Sequence, residues 1–248
     1  MPVVSQIDIA PTISRLLDFA LPRTDGQPLE ELGSWSCEQV VLSIVDSLGF
    51  RLYRYLEKDL KHLPSLAAAG QVFSAVSVSS HTSPAIASIL SGLLPEHHGI
   101  RDTEDARRSP IQSIPALASS AGIRTGVIME KGGAEVYCGL VEYIGAVPRI
   151  LPPAEFDRQS GRLAAEALAA HCRLVVAYFI GLDKAAHDGQ DQHGFRQAAM
   201  TIDRSFGQIL AAAPAKTAFL VVGDHPVHAG SLASGADPRC VALLAGCL

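Results

Sequence analysis

Three apolar runs constrain this chain more than anything else in it. Val40-Val41-Leu42-Ser43-Ile44-Val45, Leu174-Val175-Val176-Ala177-Tyr178-Phe179-Ile180 and Thr217-Ala218-Phe219-Leu220-Val221-Val222 are almost unbroken in hydrophobicity. A strand with one wet face alternates polar and apolar residues. Runs like these instead suit strands covered on both faces, as in a parallel sheet clad by helices. Helical periodicities precede and separate them: Ile9 to Ala20, opened by Asp8 and Pro11; Phe50 to Leu63; Ile111 to Ser120, stopped by Gly122; Ala154 to His171; and Phe195 to Ala212. Further strands are expected at Val72–Val78, Arg124–Met129 and Val241–Leu244. The alternation predicts an α/β fold, a three-layer sandwich with a mainly parallel central sheet and helices on both faces. Hydrophobic residues make up 48% of 248, enough for a sizeable core. No repeat or long linker divides the chain, so residues 1–248 read as a single domain.

Each of the three runs delivers an acid. The first ends in Asp46, the second stops just before Asp183, and the third just before Asp224. One strand-end aspartate by itself is more often a helix cap than a ligand. Three at the carboxyl edge of one sheet, where sites of open α/β folds form, would repel one another unless cations sat among them. Histidines accompany two of them: His187 four residues after Asp183 in GLDKAAHDG, and His225 and His228 in VVGDHPVHAG. Mixed carboxylate and imidazole donors suit zinc or manganese.

A fourth stretch, Ser79 to Ile100, runs SSHTSPAIASILSGLLPEHHGI after the Val72–Val78 strand. Pro84 belongs in a first helical turn and Gly92 ends the helix. Thr82 therefore falls at a helix N-terminus, where unpaired N–H groups and the helix dipole favour an anion. Taken alone, Thr82 reads as an N-cap; beside the acids and histidines it reads as a nucleophile. His98 in EHHGI reads as a structural turn residue, and Lys131 as a solvated loop lysine with a second reading as a substrate contact. Gly132-Gly133 and Pro148 to Pro153 read as loops able to cover a site.

Composition narrows the field. A formal net charge of −5 argues against a nucleic-acid surface. The opening residues MPVVSQIDIAPTIS lack the basic start and apolar run of a secretion signal, and no apolar run approaches the length of a membrane span. Five scattered cysteines without a CxxC pair suggest reduced thiols, hence a cytoplasmic location.

With these pieces in view the chain resembles the alkaline phosphatase superfamily, in particular its phosphodiesterase/nucleotide pyrophosphatase, cofactor-independent phosphoglycerate mutase and sulfatase branches. VVLSIVDSLG resembles its first metal-aspartate segment, SHTSPAIASILSGLLPEHHGI its nucleophile segment, GLDKAAHDG its Asp-x-x-x-His pair and VVGDH its Asp-His pair. The resemblance implies two divalent metal ions, zinc or manganese. One would be held by Asp46, Asp224, His225 and the Thr82 oxygen, the other by Asp183, His187 and His228. It implies Thr82 as nucleophile of a phospho-enzyme route, with His81 and Lys131 as substrate contacts. The partner is a small phosphorylated substrate, a phosphate monoester or diester. Alternatives are a phosphomutase, a sulfatase-like metalloenzyme, or a non-catalytic metal-binding module of the same fold. The sulfatase nucleophile motif Cys/Ser-x-Pro-x-Arg is replaced by Thr82-Ser83-Pro84-Ala85-Ile86, which favours phosphate. Finally, QIDIAPTISRLLDFALPRTDGQPLEEL at residues 6–32 resembles a segment that sulfatase-like members carry late in the chain. The reading is of a minimal, circularly permuted version of the fold.

Overall fold

The computed structural model describes residues 3–109, 112–230, 232 and 239–248. In chain order its elements are α1 (Ile9–Leu17), β1 (Gln39–Val45), α2 (Phe50–Leu56), α3 (His62–Ala69), β2 (Gln71–Val76), α4 (Thr82–Ser91), α5 (Pro95–His98), α6 (Thr103–Arg108) and α7 (Ile114–Ser120). There follow β3 (Thr125–Glu130), α8 (Lys131–Ala134), β4 (Tyr143–Val147), α9 (Pro153–Ala169), β5 (Leu174–Phe179), α10 (Gly181–His187), α11 (Gln192–Ala212), β6 (Thr217–Gly223) and β7 (Cys240–Cys247).

The strands form one seven-stranded sheet in the order β2-β7-β6-β1-β5-β3-β4. Only β7 runs against its neighbours; it pairs antiparallel with both β2 and β6. The three apolar runs become adjacent central strands, with β1 parallel to β6 on one side and to β5 on the other. All of β5 and β6, and β1 from Val40 onward, are buried, as strands between two helical layers must be. Because the three strands are parallel neighbours in near-level register, Asp46, Asp183 and Asp224 emerge at one edge.

Several expected elements differ in extent. The helix expected over Phe50–Leu63 is broken into α2, a 3-10 turn at Glu57–Asp59, and α3. The break has a cause in α11: buried Asp203 accepts hydrogen bonds from the backbone N–H of Lys61, His62 and Leu63 at 2.8–3.2 Å, which starts a new helix there. Gly132-Gly133, expected as loop, lies within the helical turn α8. The expected helix start at Ile111 lies outside the described residues; the helix is described from Ile114. The β4 edge strand was not foreseen. The segment from Pro148 to Pro152 joins β4 to α9, with Ile150 93% exposed. Helix α1 rests on β1, α4 and α7. Its lead-in reaches the end of β6, where the Gln6 amide meets Gly223 and Asp224. Among the described residues no helix is long and apolar enough to cross a membrane.

One buried cap fixes the helix that follows β5. Asp157 of α9 is fully buried and accepts the N–H groups of Ile180 and Gly181 at 2.8 and 3.1 Å, closing the N-terminus of α10. A Cβ on Gly181 would stand 2.3 Å from Asp157 Oδ2, so the close approach requires glycine. Asp157→Ala would leave two buried N–H groups unmatched and is expected to cost about 2 kcal/mol of stability. Urea denaturation checks it, and an unchanged midpoint would show that α10 is held by other means.

Candidate metal centre

The first acid owes its position to a sharp turn. Asp46 follows β1 directly and its N–H is tied to Phe179 O of β5 at 2.9 Å. The next residue, Ser47, is buried in the left-handed region at φ 65. That conformation is uncommon outside glycine, and it turns the Ser47 N–H and hydroxyl to opposite partners. The N–H donates to Asp224 Oδ1 at 3.0 Å, and the hydroxyl donates to Asp183 Oδ1 at 3.0 Å. A single serine thus touches both of the other acids.

Asp224 leaves the end of β6 with its side chain wholly buried, and its Oδ1 also accepts the His225 N–H at 2.7 Å. Tyr178 of β5 donates its hydroxyl to Asp46 Oδ2. Each carboxylate therefore has one oxygen engaged by protein donors. The other oxygens, Asp46 Oδ1 and Asp224 Oδ2, are buried without a hydrogen-bond partner. Both face His225, whose Nε2 lies 3.3 Å from Asp46 Oδ1 and 3.6 Å from Asp224 Oδ2. The other ring nitrogen, Nδ1, is 3.1 Å from Pro226 O, so it carries the proton and donates there. Nε2 faces the same space as the two carboxylate oxygens. Thr82 Oγ1 completes the set at 3.2 Å from Nε2.

Thr82 is the first residue of α4, and His81 is its N-cap. The Thr82 hydroxyl makes no capping bond and faces His225, so the N-cap reading gives way. His98 keeps its turn role: Ile100 N–H donates to Nδ1 at 3.0 Å, and Nε2 lies 3.0 Å from Ser88 Oγ.

A second group adjoins the first. Asp183 stands in the first turn of α10 and His187 one turn later on the same face, with His187 Nε2 3.5 Å from Asp183 Oδ1. The His228 ring packs edge-on to both His187 and His225, at centroid distances of 5.1 and 5.0 Å. Ligand atoms of Asp183, His225 and His228 lie within 4.8 Å of one another, as do those of Asp46, Asp224 and His225.

The electrostatics follow from that crowding. Burial pushes the Asp46 carboxyl well above the usual carboxylate range, and the charges of Asp224 and Asp183 push it further. Burial, chiefly, raises Asp224 to about 7 against the pull of its backbone donors. The Tyr178 hydroxyl is also driven well up, by burial first and then by Asp46. His228 is held below its ordinary value, mainly by desolvation and then by His225. Unpartnered, buried, electron-rich atoms converging on one space fit a divalent cation, and carboxylate with imidazole is a donor set that zinc accepts.

The structure thus brings together Asp46, Thr82, Asp183, His187, Asp224, His225 and His228. It leaves His81 and Lys131 apart from them. His81 is exposed with Nδ1 3.2 Å from Ser80 Oγ, and Lys131 is exposed 3.8 Å from Glu135. Sequence reasoning passed over Ser47, Tyr178 and Gln6. A tyrosine within an otherwise aliphatic buried strand needs a partner for its hydroxyl, and that was the one available signal. Nothing in VDSLG announces the left-handed turn at Ser47.

A family model described as Sulfatase matches residues 38–229. No curated protein sequence matches the chain. Among solved structures, phosphonoacetate hydrolase from Sinorhizobium meliloti 1021, in complex with phosphonoacetate, superposes with a TM-score of 0.64 at 14% identity. The match covers 84% of this chain and 60% of that one. A putative sulfatase from Bacteroides thetaiotaomicron VPI-5482 gives 0.68 at 12% identity over 85% of this chain and 64% of that one. Alkaline phosphatase from the Antarctic bacterium TAB5 gives 0.57 at 13% over 84% and 90%. These likenesses carry the fold. The chain spans about 60% of the length of the phosphonoacetate hydrolase it matches.

If the buried carboxylates are cation donors, adding zinc to chelator-stripped protein at pH 7 should raise its thermal midpoint. A ligand at a hundred times its Kd contributes about 2.7 kcal/mol. Asp224→Ala should abolish most of that gain, and an equal gain in the variant would place the ion elsewhere.

Proposed function

This chain belongs to the Sulfatase family, and on that premise we propose that it is a two-metal hydrolase of phosphate esters that uses Thr82 as nucleophile. The observation that carries the reading is the convergence of Asp46 Oδ1, Asp224 Oδ2, His225 Nε2 and Thr82 Oγ1, two of them buried oxygens without a partner. Asp46, Asp224, His225 and Thr82 would hold one ion, and Asp183, His187 and His228 the other. Zinc is the metal favoured by this donor set, with manganese the alternative. Bound there, the ions supply charge neutralisation for the phosphoryl oxygens and a lowered proton affinity for hydroxyl groups.

The residues of the chain do the rest. Tyr178 and the Ser47 N–H hold one oxygen each of Asp46 and Asp224, leaving Asp46 Oδ1 and Asp224 Oδ2 free of protein donors, while the Ser47 hydroxyl bonds the Asp183 oxygen that also faces His187. Thr82 Oγ attacks phosphorus in line with the ester oxygen. The bond to that oxygen breaks, the proton lost by the Thr82 hydroxyl is made up on the leaving oxygen through solvent, the alcohol leaves, and a phosphothreonine forms. The free N–H groups of the first turn of α4 stabilise charge on the non-bridging phosphoryl oxygens. Water then attacks phosphorus from the leaving-group side, breaking the bond to Thr82 Oγ; phosphate is released from a monoester substrate, or a phosphate monoester from a diester, and a proton from the water restores the Thr82 hydroxyl. His81, next to Thr82, and Lys131, after β3, are proposed contacts to the remainder of the substrate.

Sulfate esters are the second reading, favoured by the family model. The residue at the nucleophile position is threonine in Thr82-Ser83-Pro84-Ala85-Ile86, without the Cys or Ser and the arginine of the sulfatase motif. Phosphate therefore remains the preferred ester.

With added zinc or manganese, small aryl phosphate mono- and diesters should be hydrolysed faster than the matching aryl sulfate. Thr82→Ala should keep its bound metal and lose roughly a thousandfold or more in kcat. Near wild-type turnover in that variant would mean that another group attacks.

A further inference from the structure

A buried polar side chain far upstream of the centre is bonded to two of the segments that build it. Gln6 is fully buried and lies outside the residues matched by the family model, in the 3-10 turn (Gln6–Asp8) that leads into α1. Its Nε2 donates to Gly223 O at 2.7 Å and to Asp224 O at 2.5 Å, and its Oε1 accepts the Val78 N–H at 3.0 Å. Reversing the amide would set its oxygen against two carbonyls and its nitrogen against an N–H, so the partners fix the orientation. Val78 begins the turn that leads to Thr82. Asp224 and His225 follow β6. The Gln6 amide therefore spans from the strand-to-helix turn carrying the hydroxyl to the loop carrying two of the proposed ligands.

The segment around Gln6 is anchored on its own account. Val4 O accepts the Val76 N–H at 2.8 Å, and Ser5 bridges to Val76 in parallel. Asp8 accepts the Ser5 N–H at 2.8 Å and the Gln27 N–H at 2.9 Å. The glutamine is thus held from behind while its amide faces the site. From these contacts we propose that Gln6 is a positioning residue, one that sets the distance between Thr82 and the Asp224-His225 pair. Neither backbone stretch needs Gln6 to form its strand or helix. What Gln6 supplies is their relative placement. The proposal rests on the metal-centre reading above.

Two variants test it. Gln6→Ala removes all three bonds. Thr12→Ala perturbs the same segment without touching the site, because the buried Thr12 hydroxyl only links Asp8 O and the Leu29 N–H. Zinc is titrated into each chelator-stripped protein by calorimetry, and kcat and KM are measured on an aryl phosphate. Gln6→Ala is expected to weaken one zinc step by about tenfold, the low end for a residue behind the ligands. It should also lower kcat by about ten- to hundredfold with KM little changed. Thr12→Ala should lower the thermal midpoint yet keep the wild-type zinc isotherm. An unchanged zinc isotherm in Gln6→Ala overturns the proposal whatever the turnover, and so does an equal weakening in Thr12→Ala. If wild-type protein binds zinc but hydrolyses no ester, the function reading fails while the zinc comparison still decides the role of Gln6.

Discussion

Crowding of like charge at one sheet edge governs this molecule. β6, β1 and β5 are parallel neighbours, and each brings an aspartate to the same place. Three carboxylates, all more than nine-tenths buried, carry a repulsion and a desolvation cost that no helix packing relieves. The surrounding structure answers it as far as neutral donors can. Ser47 turns through a left-handed conformation to give its N–H to one acid and its hydroxyl to another. Tyr178 gives its hydroxyl to the third. Two carboxylate oxygens remain buried and unpartnered beside the Nε2 of His225. Protons or cations must supply what is missing. Burial, chiefly, accordingly pushes the Asp224 carboxyl up, to about 7.

The helices around that edge serve as its scaffolding. α4 starts at Thr82 and presents its N-terminus to the centre. α10 starts two residues before Asp183 because Asp157, on another helix, closes its first turn, and its pitch brings His187 round to the same side. Gln6 joins the turn before α4 to the loop after β6. These contacts span large sequence separations, so the tertiary fold is what joins the local Asp183–His187 and Asp224–His225 pairs to Asp46 and Thr82.

Local chemistry was readable from the sequence. The three apolar runs became buried strands. The three acids emerged just beyond their carboxyl ends, and Pro84 and Gly92 bounded a helix that starts at Thr82. Strand order was not readable, and strand order is what makes Asp46, Asp183 and Asp224 neighbours. Hydrophobicity also gave no account of α2 and α3 as separate helices, because the break depends on Asp203 arriving from α11. The short edge strand β4 is only partly buried, so it lacks a strong apolar signature. Ser47 and Gln6 went unnoticed for a related reason. Their roles depend on a backbone angle and on partners up to 218 residues away. The circular-permutation reading of residues 6–32 expects α1 beside β6 and β7, whereas α1 rests on β1, α4 and α7 and the lead-in at Gln6 reaches the end of β6.

The Asp-His cluster is proposed as a two-ion centre with Thr82 at its edge. Anomalous diffraction from crystals soaked with zinc and vanadate tests it most directly. Two zinc peaks are expected. One lies among Asp46, Asp224, His225 and the Thr82 hydroxyl, and the other among Asp183, His187 and His228, with vanadium bonded to Thr82 Oγ. Crystals that take up no zinc at these residues, or that bind vanadate away from Thr82, would contradict it.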